Sequence, residues 1–304
     1  MTVQKPNDYI RNFKAGKLKN DLSYCIIQDT NIDYCSMSCS VGVGSYSDPI
    51  EYQGMAHFLE HMLFLGSEKY RDENYFDKKL SENGGYSNAY TSFFETNYYF
   101  KCNNNSKEEI IDIFSRFFID PLFNKDMVDR EINAINSEHL KNINNDFWLK
   151  RQIIFNLSDK DSGINFFSTG NLETLDKLGV RDKMEEFYKK YYCSNNIKLS
   201  IVSPDDLVET EKMIINIFSQ VPKKRSSEIK LKRDDKYKKK HMEIQLFPVN
   251  SSEDCNIYYF WNIDFLDRYK LNKNIYILSD LIDSTNKNSL SVYLSKNGYA
   301  YDVS

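Results

Sequence analysis

Two histidines and a glutamate within five residues, His57-Phe58-Leu59-Glu60-His61, constrain this chain more than any other stretch. The surrounding run GMAHFLEHMLFLGS is apolar and proline-free, with Gly54 just ahead, and it reads as a helix. At about 100° per residue, His61 falls about 40° from His57 and Glu60 about 60° away on the other side. All three side chains therefore share one face. Two neutral imidazoles at that spacing can grip one zinc ion, and a carboxylate between them can reach a water bound to it. A catalytic zinc takes three protein ligands and one open position, so a third ligand must come from elsewhere, and Glu138 is the candidate.

The rest of the chain has to build a scaffold for that face. LSYCIIQ at 22–28 and YCSMSCSVGVG at 34–44 alternate and are separated by a turn, so they read as paired strands. NYFDKKLSEN is an amphipathic helix stopped by Gly84-Gly85, and YSNAYTSF and ETNYYFKC are two further strands. Ser106 is expected to cap a helix reaching Phe118, with Glu108 and Glu109 in its first turn. A longer helix is expected from about Lys125 to Phe155, with Ile132, Ile135 and Leu140 on its apolar side. On it Glu131 and Glu138 stand seven residues apart, nearly two turns, and share a face. A helix near 180–192, a strand at 197–203 and a helix at 205–220 follow, and the later segments MEIQLF and CNIYYFWNIDF read as strands.

An internal repeat divides the chain. Leu80-Ser81-Glu82-Asn83-Gly84 ahead of YSNAYTS resembles Leu294-Ser295-Lys296-Asn297-Gly298 ahead of AYDVS, at an offset of 214 residues. The second copy has no histidines where the first has His57 and His61, so only the first can carry a metal. The expected organisation is a zinc-bearing module at 1–222, a charged linker at 223–241 and an incomplete second module at 242–304. The fold class is α+β, an antiparallel-rich sheet with helices packed on one face.

Forty basic residues against 44 acidic ones give a net charge of −4, which argues against nucleic-acid partners and against an anionic membrane surface. The basic stretch PKKRSSEIKLKRDDKYKKKH is interrupted by acids and reads as a solvated linker. No apolar run approaches the roughly 20 residues needed to cross a bilayer. Six scattered cysteines without a C-x-x-C pair read as free thiols in a reducing compartment, which points to the cytoplasm, although a presequence removed earlier is compatible with this start. His139, beside Glu138 but about 100° round the helix, reads as structural, and His241 carries no signal.

GMAHFLEHMLFLGS, taken with SNAYTSFFETNYYF, DREINAINSEHLKNINNDFW and FSTGN, resembles the insulinase and pitrilysin group of zinc metallopeptidases. The order H-x-x-E-H is that of the inverzincins. The resemblance runs over most of residues 36–175. It implies one Zn²⁺ per chain held by His57, His61 and Glu138, since the family's third ligand stands 77 positions past the second histidine, as Glu138 does. It implies Glu60 as the catalytic base and Glu131 as a further acidic residue orienting a histidine or the Glu60 network. Asn88, Ala89 and Thr91 on a free strand edge are then expected to bind peptide substrate by backbone pairing. Phe64, Tyr90 and Trp148 become candidate pocket walls. Members of the group have a second, C-terminal half that completes a chamber, and no such half is present here. The expected partners are peptide substrates and that C-terminal half; the expected activity is metalloendopeptidase action on short or unfolded peptides. The alternative is a peptide-binding or assembly subunit of the same fold without hydrolysis.

Overall fold

The computed structural model describes residues 11–158, 165–223, 257–259, 274–301 and 303. The chain divides into two compact units, residues 1–252 and 253–304.

The first unit is built on a six-stranded sheet of order β1-β2-β6-β3-β5-β4. Its strands are β1 (Asn12–Lys17), β2 (Ser23–Gln28), β3 (Tyr34–Val41), β4 (Tyr86–Thr91), β5 (Thr96–Asn103) and β6 (Ile197–Ser203). Alternation explains the one-sided core. In β3, Cys35, Met37, Cys39 and Val41 are buried while the serines between them face outward, and β5 repeats the pattern with Thr96, Tyr98, Phe100 and Cys102. The helices cover the apolar face: α1 (Met55–Met62), α2 (Tyr75–Glu82), α3 (Lys107–Ser115), α4 (Lys125–Asn142), α7 (Val180–Tyr191) and α8 (Leu207–Phe218). Helices α5 (Asp146–Asn156) and α6 (Leu172–Leu175) complete this unit, so the α+β class holds. No described helix is long and apolar enough to cross a membrane.

Several expectations need correction. Strands β2 and β3 are not paired with each other, because β6 lies between them, parallel to β2 and antiparallel to β3. The central slot favours a strand with an apolar inward face, which Ile197, Leu199 and Ile201 supply, with the buried Ser203 at its end. Strand β1 was not anticipated. Its side chains are only half-buried or exposed, so no alternation marks it, and it holds to β2 through its backbone ladder.

The single helix expected from Lys125 to Phe155 is two helices. Asn145 ends the first span and caps the second, its side chain accepting from Phe147 N at 3.0 Å. Leu140, placed by pattern on the apolar side, is 57% exposed. Ser106 precedes α3 but makes no capping bond, its hydroxyl donating instead to Asn103 O, and Arg116–Phe118 form a separate 3-10 turn. The expected strand MEIQLF, His241, Cys255 and all but the first residue of the charged linker lie outside the described residues, as does most of CNIYYFWNIDF, whose described residues 257–259 form no strand. The five described cysteines are free thiols.

An aromatic cluster fills the space between sheet and helices. Phe114 sits at its centre, fully buried, with rings of Phe76, Phe100, Phe117 and Phe118 at 5.0–6.0 Å. Phe114→Ala is expected to cost about 3–5 kcal/mol through lost burial and the cavity left behind, read as a fall in the urea midpoint at unchanged slope.

In the second unit α9 (Asn274–Ile282) and α10 (Leu290–Lys296) are described. The end of α10 reproduces the end of α2. Gly84 and Gly298 take φ of 62° and 68°, and the next residue's N–H reaches back to Leu80 O at 2.8 Å and Leu294 O at 2.9 Å. Asn83 and Asn297 each donate to the carbonyl four residues earlier, at 2.8 and 2.7 Å. The sequence repeat is thus also a repeat of helix-ending geometry.

Candidate metal centre

Helix α1 is held at its N-terminus by two contacts remote in sequence. The buried Asp48 carboxylate accepts from Gly54 N at 2.8 Å and Ala56 N at 2.9 Å, tying up donors that a helix start leaves unpaired. Burial pushes that carboxyl up to about 8 against the pull of these bonds. Gly54 has φ of 90°, and a Cβ there would lie 2.3 Å from Gly170 Cα. This close approach brings the neighbouring carbonyl of Thr169 to His57 Nδ1 at 2.7 Å.

The two histidines are oriented from opposite sides. His57 Nδ1 donates to Thr169 O, and His61 Nδ1 lies 3.1 Å from Glu131 Oε2 on α4. Each Nδ1 is thereby occupied, which leaves both Nε2 lone pairs free and turned inward, toward α4. They converge on one carboxylate: Glu138 Oε2 is 3.7 Å from His57 Nε2 and 3.8 Å from His61 Nε2. Val128, Ile132 and Ile135 anchor α4 in the core, and Glu131 and Glu138, about 60–80° round the helix from them, share the flank that meets the histidines of α1. His57, His61 and Glu138 form the one group among the described residues able to offer three ligand atoms to a metal, all within 4.8 Å of one another. Two imidazoles with free Nε2 and one carboxylate oxygen are the donor set that a catalytic zinc takes, so the residues fit the ion.

Glu60, 7% exposed, sits behind this group, and one of its oxygens accepts from Thr91 Oγ1 on β4 at 2.5 Å. Burial raises its carboxyl above the ordinary range, against opposing pulls from His57, the Thr91 bond and His61. Burial alone would lower His61, but the Glu131 bond and the charges of Glu60, Glu131 and Glu138 outweigh it and raise the imidazole. Removing the Glu131 carboxylate should therefore loosen the site. Glu131→Ala is expected to weaken zinc affinity about 10- to 100-fold in a chelator competition titration.

Strand β4 is the edge of the sheet. Ser92 N–H donates to Glu95 O at 2.7 Å, and the antiparallel ladder alternates in twos from that pair. Tyr90, Asn88 and Tyr86 are then bonded to β5, while Thr91, Ala89 and Ser87 turn their backbone groups to the open edge. Ala89 N is satisfied locally by Asn88 Oδ1 at 2.9 Å. Of the other sequence candidates, Phe64 lies in the aromatic cluster, 5.0 Å from the Phe117 ring. Tyr90 faces the opposite side of the sheet from Thr91, 48% exposed, with its hydroxyl on Glu95. Trp148 stands on α5, its ring edge-on to Phe147. His139 packs edge-on to Phe167, apart from the ligand group. Asp48, Thr169 and Gly170 were not found from sequence. Only the glycine in FSTGN hinted at a close backbone approach.

Comparison with known proteins agrees with this geometry. Insulinase, peptidase family M16, matches residues 24–158, and the peptidase M16 inactive domain matches residues 180–304. The A-factor-processing enzyme of Saccharomyces cerevisiae is 37% identical over 99% of this chain and 30% of its own length. The insulin-degrading enzyme of Drosophila melanogaster is 33% identical over 99% of this chain and 31% of its own. The crystal structure of pitrilysin superimposes with a TM-score of 0.79 at 27% identity, over 98% of this chain and 32% of that one. The chain thus spans under a third of the length of these relatives. With the motif, the sheet topology and both domain matches in agreement, the chain belongs to the insulinase and pitrilysin family of peptidases, of which it is a part-length representative.

Proposed function

We propose that this chain is the metal-bearing part of a zinc metalloendopeptidase that cuts short or unfolded peptides. The observation that carries the proposal is the convergence of His57, His61 and Glu138 beside Glu60 and an open strand edge. His57, His61 and Glu138 would hold Zn²⁺, which when bound supplies a Lewis acid for a peptide carbonyl and lowers the pKa of water.

The chain's own groups account for the remaining steps. Ser87, Ala89 and Thr91 turn their backbone groups to the open edge, where they hold an extended peptide as an added strand with little demand on its side chains, Ala89 N exchanging Asn88 Oδ1 for the peptide. Thr91 fixes one oxygen of Glu60 and leaves the other for water. Glu60 takes the proton of the attacking water and returns it to the leaving amine, a role that suits a carboxyl raised by burial. Glu131 and Thr169 keep each imidazole's Nε2 turned inward.

The relatives' remaining length carries the rest of the machinery in this reading. The 304-residue chain alone is expected to bind zinc and to hydrolyse a fluorogenic peptide slowly or not at all, with activity restored when the C-terminal half is supplied. Cleavage by the isolated chain at the rate of a full-length relative contradicts that expectation. We place its action in a reducing compartment, the cytoplasm first, on the free state of the five described cysteines. One relative, insulin-degrading enzyme-like 1 of Arabidopsis thaliana, is named as peroxisomal.

A further inference from the structure

Helix α5 has no fully buried residue, although it carries Phe147, Trp148, Ile153, Ile154 and Phe155. Among its polar residues, Arg151 is held by aromatic rings. The guanidinium lies 5.1 Å from the Phe155 ring, 5.3 Å from Trp148 and 5.9 Å from Phe93. Phe93 and Phe155 pack edge-to-face at 4.9 Å, closing the cage. Three rings make a stable seat for a flat cation and orient it.

That seat leaves all the donors unused. Among the described residues Arg151 has neither a hydrogen bond nor an ion pair, in a fold where Arg11, Arg71, Arg116, Arg130 and Arg181 each have a carboxylate. Among the described residues, Glu95 is engaged with Tyr90 and Glu138 with the two histidines. Its nitrogens are not among the buried orphaned atoms, so they remain reachable from solvent. A half-buried guanidinium held by aromatic faces alone, with its edge open, is arranged to receive a carboxylate.

Its position says where that carboxylate comes from. Phe93 follows Thr91 by two residues, at the bend between β4 and β5 and so no more than about 7 Å further along the chain, and Thr91 touches Glu60. The guanidinium therefore stands roughly 10–15 Å from the Glu60 carboxylate, the span of about three or four residues of an extended peptide. We infer that Arg151 is a specificity-determining residue that recognises an Asp or Glu side chain of the peptide, within about four positions of the bond placed at Glu60. The location of the cut bond rests on the peptidase reading, while the recognition of an acidic peptide does not.

The test uses the zinc-loaded chain carrying Glu60→Gln, so that no peptide is consumed. Fluorescein-labelled ten-residue peptides, neutral except for one Glu moved along them, are titrated by anisotropy beside their Gln counterparts. At one or two adjacent positions Glu is expected to bind about tenfold tighter than Gln, with the advantage shrinking as salt rises. Arg151→Gln should remove that preference, and Lys150→Gln, which removes a neighbouring positive charge, should keep it. Equal affinity at every position, no binding by any peptide, or a preference that survives Arg151→Gln overturns the inference. If the preference holds but the active protein never cleaves these peptides, the peptidase reading fails and the recognition role of Arg151 stands.

Discussion

Glu60→Gln is expected to lower peptide hydrolysis by about 10²- to 10⁴-fold while leaving zinc in place. Glu60 is not one of the three converging ligand groups. Its carboxylate points to Thr91 and to the space beside the histidines, so exchange of one oxygen for an amide removes the proton acceptor and no metal bond. The amide fills the same volume and can still accept from Thr91 Oγ1, so α1 should keep its seat. The measurement is kcat/KM for a fluorogenic peptide on the full-length protein, paired with zinc content. The loss should sit in kcat, because peptide affinity comes from the strand edge.

The second large effect is expected at the ligands. His61→Ala removes one of three groups that converge within 4.8 Å, and it also leaves the Glu131 carboxylate without its partner. Three carboxylates, Glu60, Glu131 and Glu138, then face one another with a single imidazole among them, and like charges at that spacing repel. Zinc should be lost on dialysis against a mild chelator, and hydrolysis with it. The contrast with Glu60→Gln separates the two roles. Both variants lose turnover, but only His61→Ala loses the ion.

Why part of this site could be read from sequence follows from how far apart its members are. His57, Glu60 and His61 lie within two turns of one helix, and helical geometry alone puts them on one face. Glu138 comes from a second helix, and its identification leaned on family spacing as well as on the shared face with Glu131. Thr169 was out of reach because it acts through its carbonyl, a group every residue has. Asp48 was missed for a related reason: it caps a helix from six residues before Gly54, beyond the usual capping positions. In the sheet, alternation marked β3, β5 and β6 well, whereas strand order depended on a segment some 170 residues downstream inserting between two apparent neighbours. The break at Asn145 was local and legible in principle, since Asn-Asn-Asp is a capping sequence, but the apolar spacing across it favoured one long helix. The choice of Tyr90 as a pocket wall illustrates the alternation rule in reverse, for it sits one residue from Thr91 and so faces the other side of the sheet.

The central claim is that His57, His61 and Glu138 hold one zinc ion. Metal analysis of the purified chain after dialysis tests it most directly, with Glu60→Gln and His61→Ala measured in the same experiment. The account predicts about one zinc per chain in the unmodified protein and in Glu60→Gln, and almost none in His61→Ala. A chain that holds no zinc, or a His61→Ala variant that keeps it, contradicts the account.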